Sequence, residues 1–242
     1  PAPTIARFAP GNIVADTLMK ALAEAVPNKV GAGVGNLKVV AFSGIKGEQH
    51  WVHMEIHEGS YGGRYGKDGM DAVDTLYANT RNNPIEDIES HTPLRVTRYE
   101  LRDNAAAAGR WRGGIGSIRE VEFLEDSFIS IEGDGHKFAP WGFDGGNEGN
   151  TAALDYMVAD GTKNSLPSMM PSRAVKAGES LALTGTCGGG YGDPMTRPES
   201  DVLEDVLDGY ISVQKAKDDY GVIITAALKL DSAATAEMRN AK

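Results

Sequence analysis

Glycine constrains this chain more than any other residue type. Thirty of its 242 residues are glycine, where ordinary usage of about 7% would give roughly 17. The excess has no fixed period, which excludes a collagen-like repeat. It sits in short clusters: Gly59 to Gly69, Gly109 to Gly116, Gly133-Asp134-Gly135, and Gly188-Gly189-Gly190-Tyr191-Gly192. A glycine run lets backbone approach a neighbour closely, because no Cβ intervenes. Two uses follow: tight connections where layers of structure meet, or loops whose N–H groups cradle an anion.

The rest of the composition narrows the class. Hydrophobic residues make up 41% of the chain and recur along its length, enough for a real core. The net charge is −10, from 24 basic and 34 acidic residues. The local enrichment from Arg95 to Arg119 is interleaved with acids, so no basic surface for nucleic acid is expected. Cys187 is the single cysteine, which excludes an internal disulfide and fits a reducing compartment, the cytoplasm. No apolar run approaches the ~18 residues needed for a membrane span. The chain opens Pro1-Ala2-Pro3-Thr4, without methionine.

Periodicity supplies the elements. Residues 1–11 read as an extended arm held by Pro1, Pro3 and Pro10. A helix follows from an Asn12 cap, with Ile13, Val14, Leu18, Met19, Leu22 and Val26 at helical spacing, ended by Pro27. Leu37 to Phe42 suits a strand. Trp51 to Glu58 alternates, with Val52, Met54 and Ile56 on one face and His53, Glu55 and His57 on the other. Pro84 to Ser90 forms one or two helical turns. Leu94 to Leu101 is a strand of imperfect alternation, and Ile118–Leu124 with Phe128–Ile131 suggests a hairpin around Glu125-Asp126. Leu181 to Thr184 is a strand that runs into the last glycine cluster. Helices are expected over Ser200–Leu207 and Ser212–Asp219. A polar, Ala-rich tail covers residues 228–242, as a surface helix or frayed. The expected fold class is α+β: a β-rich single domain with glycine-rich loops at strand ends and peripheral helices.

Candidate chemistry lies beside the loops. His53, Glu55 and His57 carry metal-ligand chemistry, but same-face side chains on a strand stand roughly 6.5–7 Å apart, a poor chelate. The alternative is a solvent-facing polar strand. Thr186 to Asp193 leaves a strand as a phosphate cradle would, yet lacks the Lys-Ser/Thr ending of a P-loop. Arg110 and Arg112 flank Trp111. Their fork of donors suits a carboxylate or phosphate, and an internal network with Glu86, Asp87 and Glu89 is equally open. Ser117, Ser168 and Ser172 lack a nucleophile elbow, and a lone cysteine such as Cys187 is more often a small buried apolar group.

Six segments, in order, resemble the hydantoinase B family. They are Gly62-Gly63-Arg64 with Lys67-Asp68-Gly69; Asn79 to Glu86; Pro93 to Arg102; Gly109 to Gly116; His136-Lys137-Phe138-Ala139-Pro140-Trp141-Gly142; and Gly188 to Pro194. The family includes ATP-dependent hydantoinases and lactamases, the C-terminal region of 5-oxoprolinase, and subunits of acetone and acetophenone carboxylases. The resemblance implies the C-terminal half of a B-type subunit. Its partners would be the N-terminal half and a hydantoinase A-type subunit, with no nucleic acid and no membrane involved. ATP, bound by the A-type partner, would phosphorylate the carbonyl or enol oxygen of a cyclic amide, and the B-type protein would complete hydrolysis or, alternatively, carboxylation. A divalent metal is implied with its ligands on the N-terminal half, so this chain alone should be inactive. The third alternative is a scaffolding half-subunit that contributes no side chain to chemistry. Within this chain, Glu55, Asp68 and His136 are the candidate catalytic groups. Arg64, Arg110, Lys137, Gly189 and Gly190 are the candidate contacts to substrate or anion.

Overall fold

A computed structural model describes residues 8–76 and 80–241. Among the described residues nine strands form two antiparallel sheets. Strands β1 (Lys38–Lys46), β2 (Gln49–His57), β5 (Ser127–Gly133) and β8 (Met169–Val175) form one, in the order β2-β1-β5-β8. Strands β3 (Leu94–Leu101), β4 (Ser117–Phe123), β6 (Ala153–Met157), β7 (Lys163–Ser165) and β9 (Ser180–Thr184) form the other, in the order β3-β4-β9-β6-β7. The core between them gathers Val40, Phe42, Val121, Phe123, Ile129, Ile131, Leu181 and Leu183. This is the α+β, β-rich domain that the periodicity implies.

Several expectations change. Ile118–Leu124 and Phe128–Ile131 do not make a hairpin. β4 pairs with β3 and β9, whereas β5 pairs with β1 and β8, so the chain at Leu124–Asp126 turns a corner from one sheet to the other. The imperfect alternation near Val96 is a register shift between Val96 and Arg98, the mark of a β-bulge. β6, β7 and β8 carry no clear period, because they are short and Pro171 lies inside β8.

Among the described residues five α-helices surround the sheets. α1 spans Phe8–Leu22. The expected arm over 1–11 therefore fails over 8–11, while residues 1–7 lie outside the described residues. Pro10 sits in the first turn, where the backbone N–H has no intrahelical partner and none is missed. Asn12 is an interior helical residue, not a cap. It is buried, and its side chain donates to Asn36 Oδ1 at 3.1 Å. α2 spans Ile85–His91, with Pro84 as its cap.

α3 (Glu199–Leu207) and α4 (Val213–Tyr220) pack on a second core with Ala105, Ile115 and Cys187. Ser212 caps α4, and Gly221, at φ 62°, ends it in the left-handed conformation. The tail is a docked helix: α5 (Ser232–Asn240) is capped by Asp231, and buried Thr235 accepts from Ile223 N at 2.9 Å.

The glycine clusters meet at one end of the sandwich. Gly63 N donates to Gly189 O, Gly189 N to Gly33 O, and Gly33 N to Trp141 O, at 2.7–2.9 Å. Gly188 N donates to Gly114 O at 2.9 Å, and Gly114 N to Tyr61 O at 2.8 Å. Added to Gly188, a Cβ would stand 2.2 Å from Tyr61 O, a contact that only backbone movement relieves. Gly188→Ala is expected to lower stability by about 2–3 kcal/mol. Gly31→Ala, whose nearest neighbour would be 3.5 Å away, should be close to neutral. Urea denaturation of the two variants checks the contrast.

Candidate functional site

β2 turns its polar face inward. Val52 and Met54 stand 74% and 56% exposed, while Glu55 and His57 are buried. The expectation of a solvent-facing polar strand is therefore reversed. Buried Arg119 of β4 explains the inversion. It forms an ion pair with Glu55 and lies over the Tyr99 ring with its guanidinium 4.3 Å from the centroid. His53 Nε2 is 2.9 Å from Glu55 Oε1, and the His53 ring stacks on Phe42. His57 Nε2 is 3.3 Å from Ser117 O. Each group has its own partner, so His53, Glu55 and His57 are not a chelate. Among the described residues no three His, Cys, Asp or Glu side chains are grouped to hold a metal. Glu55, expected to be catalytic, is buried and paired with Arg119.

Asp68 is likewise engaged. It receives Arg197 through both oxygens at 2.7 and 2.9 Å and accepts from Arg112 N at 2.8 Å. Arg112 grips Asp71 at 2.9 and 3.1 Å, and Asp205 bridges Arg112 and Arg197 at 3.2 and 2.9 Å. Burial works against the Arg197 charge, but Asp68 and Asp205 more than offset it and raise its pKa. This network ties the first and second glycine loops to α3. The partners of Arg112 are these aspartates, not Glu86, Asp87 or Glu89. Arg197→Met should leave Asp68 without its ion pair and Asp205 with Arg112 alone, and cost about 3 kcal/mol; thermal unfolding at low and high salt measures it.

At the expected anion cradle, Gly189 and Gly190 make backbone bonds of their own. Their amides donate to Gly33 O and Asn147 O at 2.9 and 2.8 Å, so neither is free for a ligand. Arg110 stacks on Trp111, with its guanidinium 5.2 Å from the ring centroid, and reaches Thr196 O at 3.4 Å. Trp111 belongs to a chain of ring contacts, Tyr65–Trp111–Tyr191–Phe143–Trp141, with centroids 5.1–6.1 Å apart. Side chains from all the loops thus lock together beside the stacked backbone.

Arg64 is different. It is exposed on the first loop and lines a cavity of about 200 Å³ with Lys29, Tyr61, Tyr65 and Leu76. Asp68 lines it too, but its charge is met by Arg197. The cavity therefore carries two cations without a free carboxylate, a lining suited to an anionic group.

At the root of the same loop lies Glu58, which no motif or period in the sequence singles out. Burial pushes its carboxyl up to about 7, with Asp74 adding to the effect and the Tyr99 hydroxyl, 3.5 Å away, opposing it. Tyr99 is itself pushed up to about 12, first by burial and then by Glu58. Asp74 accepts from Thr80, and Tyr99 from Asn82. Thr80 and Asn82 belong to the second resembling segment, whose first residue, Asn79, lies outside the described residues. The signal available was position: Glu58 directly follows a strand and directly precedes the glycine loop.

The third loop holds another group. Lys38 is buried and donates to Thr184 O at 2.7 Å, and burial pulls its pKa down to about 7. His57 falls to about 3 through burial and then Lys38. The pKa of His136 is lowered by the same two causes, and its Nε2 has no partner. Lys137 beside it lies 5.4 Å over the Phe138 ring. The structure does not bring the expected catalytic groups together: Glu55 lies between the sheets, Asp68 in the arginine network and His136 on the third loop.

The pKa of Glu58 carries a stability consequence. Its value is about 7 in the folded chain against an ordinary 4.5. Between these pH values the folded state holds a proton that the unfolded state has released, so stability falls as pH rises through the window. Glu58→Gln should remove that fall and stabilise the chain at pH 7.5 by up to about 3 kcal/mol, seen as a smaller difference in urea midpoint between pH 5 and pH 7.5.

Known proteins share this architecture. The Hydantoinase B/oxoprolinase family pattern matches residues 1–194, and the chain belongs to that family. It is 63% identical to a protein from Pseudomonas sp. (strain NS671) named as the B component of a D-/L-hydantoinase, over 99% of this chain and 40% of that one. It is 30% identical to the beta component of the caprolactamase of Pseudomonas jessenii, over 93% of this chain and 41% of that one. The crystal structure of the ATP-dependent caprolactamase from Pseudomonas jessenii superposes with a TM-score of 0.79 at 25% identity, covering 91% of this chain and 40% of that one. A nucleotide-free acetone carboxylase gives 0.75 at 18% identity, covering 93% and 35%, a likeness of fold. The chain spans about two fifths of the length of these two Pseudomonas relatives. Among the described residues no helix is long and apolar enough to cross a membrane.

Proposed function

We propose that this chain is part of the B-type component of an ATP-dependent cyclic amide hydrolase, acting on a hydantoin-like or lactam ring. The 63% identity to the B component of a hydantoinase, over 99% of the chain, carries the reading. Residues 1–242 form one unit, the C-terminal half of that component, and work in the cytoplasm with its remaining half and an A-type partner. ATP held by the partner would activate the ring carbonyl, and a divalent metal, with its ligands outside these residues, would supply Lewis-acid chemistry. The described residues do not fit a metal, and no step within this chain depends on one.

This chain supplies contacts. Arg64 and Lys29 hold an anionic group of the activated substrate in the cavity of the first loop. Glu58, at the root of that loop with its carboxyl pushed up to about 7, is the proton carrier beside it. His136, expected as a proton donor, has a lowered pKa that favours the neutral ring, so with its unpartnered Nε2 it serves the third loop as proton acceptor beside Lys137 as anion contact.

The test is ATP-dependent ring opening by the reconstituted complex, followed by chromatography of hydantoins and caprolactam with and without bicarbonate. Hydrolysis independent of bicarbonate is expected, and turnover that requires bicarbonate would move the chain to the carboxylase branch. Arg64→Ala should raise KM about tenfold or more, the loss of roughly 1.4 kcal/mol or more of binding. If Arg64→Ala, Glu58→Gln and His136→Ala all left turnover unchanged in an assembled complex, the chain would be a scaffold only.

A further inference from the structure

Helix α1 is amphipathic, but it faces the wrong way for an isolated domain. Two of its polar residues point inward: Asn12 bonds to Asn36, and Asp16 accepts from Trp141 Nε1 at 2.9 Å and from Val34 N at 3.2 Å. Of its apolar side chains, Met19 packs inward on Ala23, Val30 and Trp141, but a second row points outward. Val14, Leu18 and Leu22, spaced four residues apart along one helix face, are 60%, 59% and 51% exposed, and Ile13 is 45% exposed. Single exposed apolar residues need no explanation, but a row of them along one helix face does. β2 repeats the inversion on the sheet, with Glu55 and His57 inside and Val52 and Met54 outside.

We infer that the Val14–Leu18–Leu22 face of α1 is the docking surface for the portion of the B-type component that these residues do not span. The inference rests on the functional reading above and gives that partner its contact. Length argues for this occupant. The 63%-identical hydantoinase component holds a counterpart of 99% of this chain in 40% of its own length, so more than half of that polypeptide remains to be packed against something. Charge argues against a lipid surface. Helices that lie on membranes carry Lys and Arg along their polar face, whereas α1 has Lys20 as its one basic residue and buries Asp16 on the inner side. A row of anchors at i, i+4 and i+8 is what a helix offers to an apolar groove on another part of a protein.

The test co-expresses the tagged 242-residue chain with the remaining portion of the Pseudomonas hydantoinase component as a separate polypeptide, and follows association by sedimentation. A one-to-one complex is expected. Leu18→Asp should weaken it at least tenfold while leaving helix content and melting of the chain alone unchanged, since Leu18 is already more than half exposed. A second measurement uses Leu18→Cys. Native Cys187 is buried, so maleimide should label position 18 rapidly in the chain alone and at least tenfold more slowly in the complex.

Three results would overturn the inference: equal association of Leu18→Asp, no protection of the cysteine, or a homodimer of the chain alone that Leu18→Asp abolishes. The functional reading fails separately. Ring opening that persists in a complex indifferent to Leu18→Asp would remove the docking surface and leave the activity. A Leu18-dependent complex that turns over no cyclic amide would do the reverse.

Discussion

Where the glycine clusters fold back on one another, backbone meets backbone with no side chain between. Gly188 lies against Tyr61 and Gly62, Gly113 against Gly188, and Gly190 against Ala108. The cross-bonds through Gly33, Gly63, Gly114, Gly188 and Gly189 satisfy the amides of loops that would otherwise bury unpaired donors. Everything of chemical interest hangs from this stack. It fixes where Arg64 and Glu58 emerge on one side, where His136 and Lys38 sit on another, and how the ring chain from Tyr65 to Trp141 closes over it.

Charge has been drawn inside to hold the layers in register. Glu55 and Arg119 join the two sheets, and Arg112 and Arg197 join the loops to α3 through Asp71, Asp68 and Asp205. Such pairs add little net stability beyond that of well-packed apolar groups, but losing one partner strands a buried charge. They therefore set one arrangement of the layers at the expense of tolerance to change. The same networks remove Glu55 and Asp68 from the pool of free acids and bases, leaving Glu58, with a carboxyl near 7, as the titratable acid beside the first loop.

The fold class and most strands and helices were legible because periodicity is local. The corner at Leu124–Asp126 was not, since a two-strand pattern looks the same whether the strands share a sheet or face each other across a core. The polar face of β2 turns inward against expectation, because the rule that apolar faces turn inward presumes that all of the buried surface belongs to the chain in hand. The sites were less legible than the family. Glycine clusters in order identify kinship, but whether an amide binds an anion or a carbonyl depends on distant segments such as Gly33 and Asn147. Glu58 was missed because burial, which tunes it, is not written in its neighbours.

Amide hydrogen exchange tests the interlocked loops most directly. If they are packing, the amides of Gly63, Gly114, Gly188 and Gly189 should exchange as slowly as those of the central strands β1 and β4, and phosphate should leave them unchanged. Rapid exchange at these amides, slowed when phosphate is added, would show open anion-binding loops and contradict the account.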